Sequence, residues 1–307
     1  MRKARIIYNP TAGRELIKKN IAEILQQLEQ IGYETSAHAT TSEGDATIAA
    51  RIAVERKYDL VIAAGGDGTI NEVVNGIAEK PYRPKLGIIP AGTTNDFARA
   101  LHIPLDIMKA VEVITNGNSM HLDVGAANDQ YFINIAGGGK LTELTYDVPS
   151  KLKTMIGQLA YYIKGIEMLP SIKPVHTIIE LDDRVIEEDI MLFLISNSNS
   201  VGGFEKLAPN AKLDDGYFDV IILLKSHLAD FIRVATSALR GAHLNDKSVI
   251  YTQAKHIKVT PTDDMQMNID GEYGGQLPGE FRNLQQHIEF MVPQEFINEQ
   301  KNNNQTR

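Results

Sequence analysis

At 307 residues the chain exceeds the usual single-domain length of about 100–200, and 43% apolar with 23% charged residues is enough for two globular cores. The absence of cysteine excludes disulfides, thiolate metal sites and a cysteine nucleophile, and suits a reducing compartment. A formal charge of −8 argues against a nucleic-acid partner, which needs a basic footprint.

The N-terminal stretch MRKARIIYNPTAG is too short in apolar residues for a signal-peptide core. Runs such as Val220-Ile221-Ile222-Leu223-Leu224 are strand-sized, far below the roughly 18 residues of a membrane span. A cytoplasmic protein is the expectation. Hydrophobic periodicity predicts a strand at 4–8, a helix at 15–31 with Ile17, Ile21, Ile24, Leu25 and Leu28 on one face, and a strand at 33–39. A helix at 46–56, a buried strand at 60–64, a helix at 70–77, a strand at 86–89 and helices at 95–101 and 107–113 follow. Alternation at this pitch predicts a parallel sheet with helices on both faces.

The second half reads mostly as β, at 121–126, 130–136, 175–181, 185–196, 216–224, 256–260, 266–269 and 287–290, with helices at 154–169 and 228–240. This gives an α/β domain over 1–120 and a β-rich domain over 121–293, whose C-terminal part is a candidate to pack back on the first. The Asn/Gln-rich tail at 294–307 is expected to fray.

Three glycine-bearing segments fall at ends of predicted parallel strands: Asn9-Pro10-Thr11-Ala12-Gly13, the run Gly65-Gly66-Asp67-Gly68-Thr69, and Pro90-Ala91-Gly92-Thr93-Thr94-Asn95-Asp96. Singly, each reads as a strand-to-helix turn. Together they mark the carboxyl edge of a parallel sheet, where such folds bind ligands, with free N–H groups suited to phosphate. There is no GxxxxGK[ST] loop, and the GxGxxG fingerprint fails because Asn71 stands where it would need its last glycine. Ala136-Gly137-Gly138-Gly139-Lys140-Leu141-Thr142 lacks both the earlier glycine and a Ser/Thr directly after Lys140, and reads as a structural turn. Asp67 would repel a bare pyrophosphate, so it calls for a metal or a donor partner; its other reading is a helix N-cap. None of the eight histidines forms an i, i+4 pair.

GGDGTINEVVNG, with NPTAG before it and PAGTTNDFAR after it, resembles the diacylglycerol kinase catalytic-domain superfamily of lipid kinases, and FEKLAPNAKLDDGYFD and NIDGEYG resemble its bacterial soluble members. The resemblance covers nearly the whole chain through five ordered motifs. It implies an ATP-dependent enzyme that phosphorylates the free hydroxyl of diacylglycerol to phosphatidic acid. An α/β nucleotide domain, a β-sandwich-like second domain and an active site in the interdomain cleft are implied with it. Carried across by resemblance, the ATP pocket comprises Asn9, Pro10, Thr11, Ala12, Gly13, Thr40, Gly66, Asp67, Gly68, Thr69, Ile70, Asn71, Glu72 and Thr93. Asp67 would work with Mg2+ and the phosphates, Glu272 would be the proton acceptor, and Asp96 and Asp123 would be further acids near the active centre.

The same resemblance implies a separate structural Mg2+ site at Asp215 and the backbone carbonyls of Lys212 and Tyr217. Read as bare residues, Asp214-Asp215-Gly216 is a turn before a strand, Glu272 a solvated acid beside the Asp270-Gly271 turn, and Asp96 a helix cap. Position 2 is Arg, which excludes myristoylation, and no cysteine is present to prenylate. Contact with an anionic membrane surface at the inner face of the cell membrane is therefore expected to be transient and peripheral. Lys151, Lys153, Lys164 and Lys173 bracket an apolar helix at 155–169 carrying Tyr161 and Tyr162, equally readable as an ordinary amphipathic helix. Arg14 and Lys164 match basic positions that the family ties to the lipid surface.

Phosphatidylglycerol or a sphingoid base as acceptor, an NAD kinase, and a noncatalytic lipid-binding module stay open as alternatives. Oligomeric state stays open too, a homodimer included.

Overall fold

The computed structural model describes residues 1–139, 173–199, 207–238 and 240–305. The chain divides into two compact units, one comprising Met1–Val124 with Gln286–Arg307 and the other Gly125–Gln285.

The first unit opens with β1 (Arg2–Tyr8), a short 3-10 turn (Ala12–Glu15), α1 (Leu16–Gln30), β2 (Tyr33–Ala39), α2 (Asp45–Glu55) and β3 (Leu60–Gly65). It continues through α3 (Asp67–Ile77), β4 (Lys85–Pro90), α4 (Asp96–Ala100), α5 (Ile107–Thr115) and the start of β5 (Ser119–Ala127). β1 pairs in parallel with β2 on one side and β3 on the other, and β3 pairs in parallel with β4. Alternation along the strands sorts their side chains. Ala4, Ile6, Leu60, Ile62 and Ala64 join Ile17, Ile24 and Leu28 of α1 and Val111 and Ile114 of α5 in one core. α2 and α3 pack together, and Gly76 permits their close approach: a Cβ there would lie 2.6 Å from both Ala50 Cβ and Thr47 O. Every residue of β3 is buried, as a strand covered on both faces requires.

The second unit takes the end of β5, then β6 (Gln130–Phe132), β7 (Ile135–Gly138), β8 (Val175–Glu180), β9 (Val185–Ser196) and β10 (Phe218–Leu224). α6 (Leu228–Ala238), β11 (Val249–Ala254), β12 (His256–Pro261), β13 (Gln266–Ile269), β14 (Glu272–Gln276) and the first part of β15 (Gly279–Met291) complete it. Its sheet runs β14-β13-β7-β9-β8-β12-β15, antiparallel at each step, and β10 lies between β9 and β11. Phe132 stacks on Phe218 with centroids 5.3 Å apart, in a core that also buries Phe193 and Phe281.

Several expectations are corrected. Residues 130–136 form two strands, because Ile133, Asn134 and Ile135 turn their amides to the Asp270 carboxylate. The strand expected at 287–290 begins at Gly279 and runs thirteen residues, and β11 and β14 were not foreseen as strands. The tail expected to fray forms α7 (Gln294–Gln305), anchored by Phe296, which is 1% exposed and meets the His102 ring edge-on at 5.7 Å. The helix expected at 154–169, with its flanking lysines up to Lys164, lies outside the described residues.

Within the first unit, the Glu79 N–H donates to His287 Nε2 at 2.8 Å, tying the exit of α3 to β15. Burial, reinforced by the charge of Arg83 and partly offset by Glu79, holds the His287 pKa below its ordinary value. The unfolded chain therefore takes up this proton first, so the link adds stability above about pH 6.5 and loses it as pH falls through the lowered folded value. Tm is expected to decline from about pH 8 to 5, and less steeply in His287→Gln, whose Oε1 can still accept from Glu79. Equal slopes would remove His287 as a source of the decline.

Candidate active site

The loops that leave the carboxyl ends of β1, β3 and β4 converge in the first unit. Gly66 and Gly92 meet backbone to backbone: a Cβ on Gly92 would lie 2.6 Å from Gly66 Cα, so a side chain at 92 would push the two loops apart. The first loop closes on the third, since a Cβ on Gly13 would lie 3.3 Å from that of Ala91. Asn9 shapes the first loop by accepting at Oδ1 from Thr11 N–H at 3.0 Å and from the Thr11 hydroxyl at 2.8 Å. Thr40, at the end of β2, donates its amide to Tyr8 O at 2.9 Å and so borders the same edge. Thr11, Gly68, Gly92 and Thr93 are exposed, whereas Pro10, Ala12 and Gly13 are half-buried.

Asp67 is the first residue of α3, but its carboxylate serves another element. Oδ1 accepts from Phe97 N–H at 3.1 Å, and Oδ2 accepts from Asp96 N–H at 3.2 Å and from the Thr94 hydroxyl at 3.1 Å. The N-cap position of α3 is Gly66, with no side-chain cap, so the cap reading of Asp67 fails for its own helix while the carboxylate binds the first amides of α4. The donor partner demanded by an acid between glycines is thus the third loop. Asn95, in left-handed conformation, closes that loop by accepting from Gly92 N–H at 2.7 Å and donating to Gly92 O at 3.0 Å. Asn95 and Thr94 were not singled out as site residues; the Asn after a Gly-Thr-Thr run was the available signal.

The rest of the middle segment serves support. Ile70 is fully buried and donates its amide to Gly66 O. Glu72 Oε2 accepts from Ala46 N–H at 3.0 Å in the first turn of α2, and Asn71 accepts from the Asn75 amide at 2.9 Å. Thr69 fills the space beside Gly65, where a Cβ would lie 2.4 Å from its hydroxyl. Beside Thr40, the Asp45 carboxylate accepts from Thr41 N–H at 2.8 Å and contacts His38 Nε2 at 3.1 Å, and the Thr41 amide chiefly holds its pKa below the usual carboxylate range. Asp96 is 8% exposed in α4. Asp123 is fully buried in β5 and accepts from Gln286 N–H at 2.7 Å, holding β15 at a residue of positive φ.

In the second unit, Asp270 and Gly271 form the two-residue turn between β13 and β14, with φ of 49° and 91° and Ile269 paired with Glu272. Asp270 is more than a turn residue. Its carboxylate accepts from three successive amides, Ile133, Asn134 and Ile135, each at 2.9 Å, and its own amide donates to Ile135 O at 2.9 Å. Glu272 follows on this anchored turn with its side chain exposed. Asp215 Oδ1 accepts from Tyr217 N–H at 3.0 Å, the turn geometry expected of Asp-Gly before a strand, and Lys255 Nζ lies 4.5 Å from the Tyr217 ring centroid. Lys212 is half-buried just upstream. Arg14 lies in the 3-10 turn after β1, with its side chain outside what is described, and Lys164 lies wholly outside the described residues.

No helix among the described residues is long and apolar enough to cross a membrane. The model of the diacylglycerol kinase catalytic domain matches residues 3–127, and that of the YegS C-terminal NAD kinase beta sandwich-like domain matches residues 145–292. The chain is 64% identical over 296 residues to a diacylglycerol kinase of Bacillus subtilis (strain 168), covering 96% of this chain and 98% of that one. It is 55% identical over 303 residues to a diacylglycerol kinase of Staphylococcus aureus (strain JH9), covering 99% and 96%. A crystal structure from Bacillus anthracis str. Sterne superimposes with a TM-score of 0.84 at 29% identity over 96% of each chain. Another from the same organism, described as a diacylglycerol kinase, gives 0.78 at 28% identity over 96% and 98%. An α/β unit with a parallel sheet, a β-sandwich-like second domain and two full-length relatives of this identity give one conclusion: the chain belongs to the diacylglycerol kinase family and is a lipid kinase.

Proposed function

We propose that the protein transfers the γ-phosphoryl group of ATP to the free hydroxyl of diacylglycerol, releasing ADP and phosphatidic acid. The observation that carries this reading is the closure of three strand-end loops in a chain of this family: Gly66 meets Gly92, Gly13 lies against Ala91, and the Asp67 carboxylate holds Thr94, Asp96 and Phe97 of the third loop. Exposed Thr11, Gly68, Gly92 and Thr93 then bind the nucleotide, with phosphates drawn to the N–H groups at the sheet edge. Glu272 takes the proton of the lipid hydroxyl as its oxygen bonds to phosphorus and the bond to ADP breaks.

Magnesium fits the donors present. Asp67 carries about four lone-pair sites on its two oxygens, and three are engaged by Thr94, Asp96 and Phe97. Among the described residues no three His, Asp or Glu side chains gather as a metal cage. The lone-pair site left on Asp67 is what suits Mg2+, which is commonly held by one or two carboxylates, water and substrate phosphates. When bound it would neutralise charge on the phosphates. A second cation is proposed at Asp215 with the carbonyls of Lys212 and Tyr217. Asp215→Ala is expected to lower Tm, and chelation to lower Tm of the wild type while hardly moving the variant. Equal chelation shifts in both would refute that site.

The assay uses purified protein with γ-labelled ATP and Mg2+, offering diacylglycerol, phosphatidylglycerol or a sphingoid base in mixed micelles, and NAD in solution. Label in phosphatidic acid is the expected result; label in another lipid or in NADP, with none in phosphatidic acid, overturns the reading. Access to the lipid is proposed to involve peripheral contact of Arg14 and Lys164 with an anionic surface. Arg14→Ala with Lys164→Ala is then expected to weaken binding to anionic vesicles at low salt and to spare activity on a water-soluble short-chain diacylglycerol. Equal losses on both substrates would refute the surface role.

A further inference from the structure

The amino ends of the parallel strands, opposite the glycine loops, line a half-open cavity of about 420 Å³ within the first unit. Its walls come from the first residues of β1, β2 and β4, the residue before β3, the end of α5 and the end of β15. Tyr33 and Met291, 8% and 4% exposed, form apolar wall, and Arg2, Arg83, Lys85 and Asp59 supply charge. A cavity of this size suits a small molecule, with apolar wall and a few convergent polar groups.

The charges differ in how far they are used. Lys85 Nζ is committed to Glu289 at 2.8 Å and Ser119 at 3.1 Å, and Asp59 Oδ2 accepts from Lys3 N–H at 2.7 Å. Neither arginine has a carboxylate partner among the described residues. Arg2 donates through Nη2 to Ile31 O at 2.6 Å, with its guanidinium carbon 4.4 Å from the Tyr33 ring centroid; Arg83 donates through Nη1 to Lys80 O at 2.9 Å. Each guanidinium is thereby steadied by a backbone carbonyl while further N–H donors stay available. Two steadied arginines without carboxylate partners, together with Lys85, outnumber Asp59, the one acid lining the cavity, and form a receptor for an anion; a guanidinium fork matches phosphate or carboxylate.

We propose that this cavity is a second ligand site, separate from the glycine loops, that binds a small phosphate- or carboxylate-bearing molecule through Arg2 and Arg83 with its hydrocarbon part against Tyr33 and Met291. The site does not depend on the phosphoryl-transfer reading.

The test uses the full chain and four probes: hexyl phosphate, hexanoate, inorganic phosphate and neutral hexanol. Calorimetric titration with hexyl phosphate or hexanoate is expected to show saturable one-to-one binding that weakens with salt and persists at saturating ATP. The tighter of the two identifies the anion. Phosphate alone should bind at least about tenfold more weakly than hexyl phosphate, and hexanol should not bind. Arg2→Ala with Arg83→Ala should weaken binding at least about tenfold with an unliganded melting transition still present. If that pair does not fold, Arg83→Glu alone, at an exposed position, must produce the loss. Absence of saturable binding by both anions, binding unchanged in the arginine variants, displacement by ATP, or equal binding of phosphate and hexyl phosphate would each overturn the proposal.

Discussion

Glu272→Gln is expected to lower turnover about 10²- to 10⁴-fold, the range for loss of a general base, while KM for ATP and Tm stay near wild type. The amide keeps the size of the side chain and cannot take a proton. The substitution leaves in place the Asp270 carboxylate, which ties the Asp270-Gly271 turn to the amides of Ile133, Asn134 and Ile135. The contrasting variant is Asp270→Ala, which leaves the amides of Ile133, Asn134 and Ile135 without their acceptor. Each orphaned buried donor costs about 1–3 kcal/mol before relaxation, so Tm should fall by several degrees. Unchanged turnover in Glu272→Gln would reduce Glu272 to a solvated turn residue. Equal loss of Tm in both variants would mean that Glu272 acts through folding.

Asp67 carries the other large effect, and its geometry dictates which variant is informative. Alanine there removes the acceptor of the Asp96 and Phe97 amides and the Thr94 hydroxyl, so any activity loss would mix catalysis with displacement of the third loop. Asp67→Asn keeps one oxygen for Phe97, and its NH2 group can still donate to the Thr94 hydroxyl. The Asp96 amide is the contact it gives up. The principal change is the lost negative charge. Under the proposed reading, turnover is expected to fall about 10²-fold or more in Asp67→Asn, as for removal of one group that stabilises charge in the transition state. Near-normal turnover of this variant at saturating Mg2+ would limit Asp67 to holding the loop. A wild-type Tm for Asp67→Ala would show the reverse, that the loop does not need it.

The alternating strands and helices of the first unit were legible because their signal is local. Apolar residues at helical spacing in 15–31, and a fully apolar run at 60–64 before Gly65, each commit a short segment regardless of the rest of the chain. The strand-end position of the three glycine loops follows from the same local pattern. Where the signal failed, the deciding interaction was distant in sequence. The break between β6 and β7 is imposed by Asp270, about 135 residues away, and α7 is organised by Phe296 against His102. A two-residue Asp-Gly motif announces a turn, but nothing near it announces three amides from elsewhere in the chain.

By itself, then, the sequence determined the α/β alternation, the strand-end glycine loops and the family, because periodicity and motif order are properties of neighbouring residues. Only the tertiary structure decided whom the acids serve: Asp67 the start of α4, Glu72 the start of α2, Asp123 the amide of Gln286, and Asp270 the amides of 133–135. A carboxylate in sequence is equally suited to a cation, a proton or a backbone N–H. Its partner is chosen by the donors that folding brings within about 3 Å, and those come from segments whose separation along the chain carries no local signal.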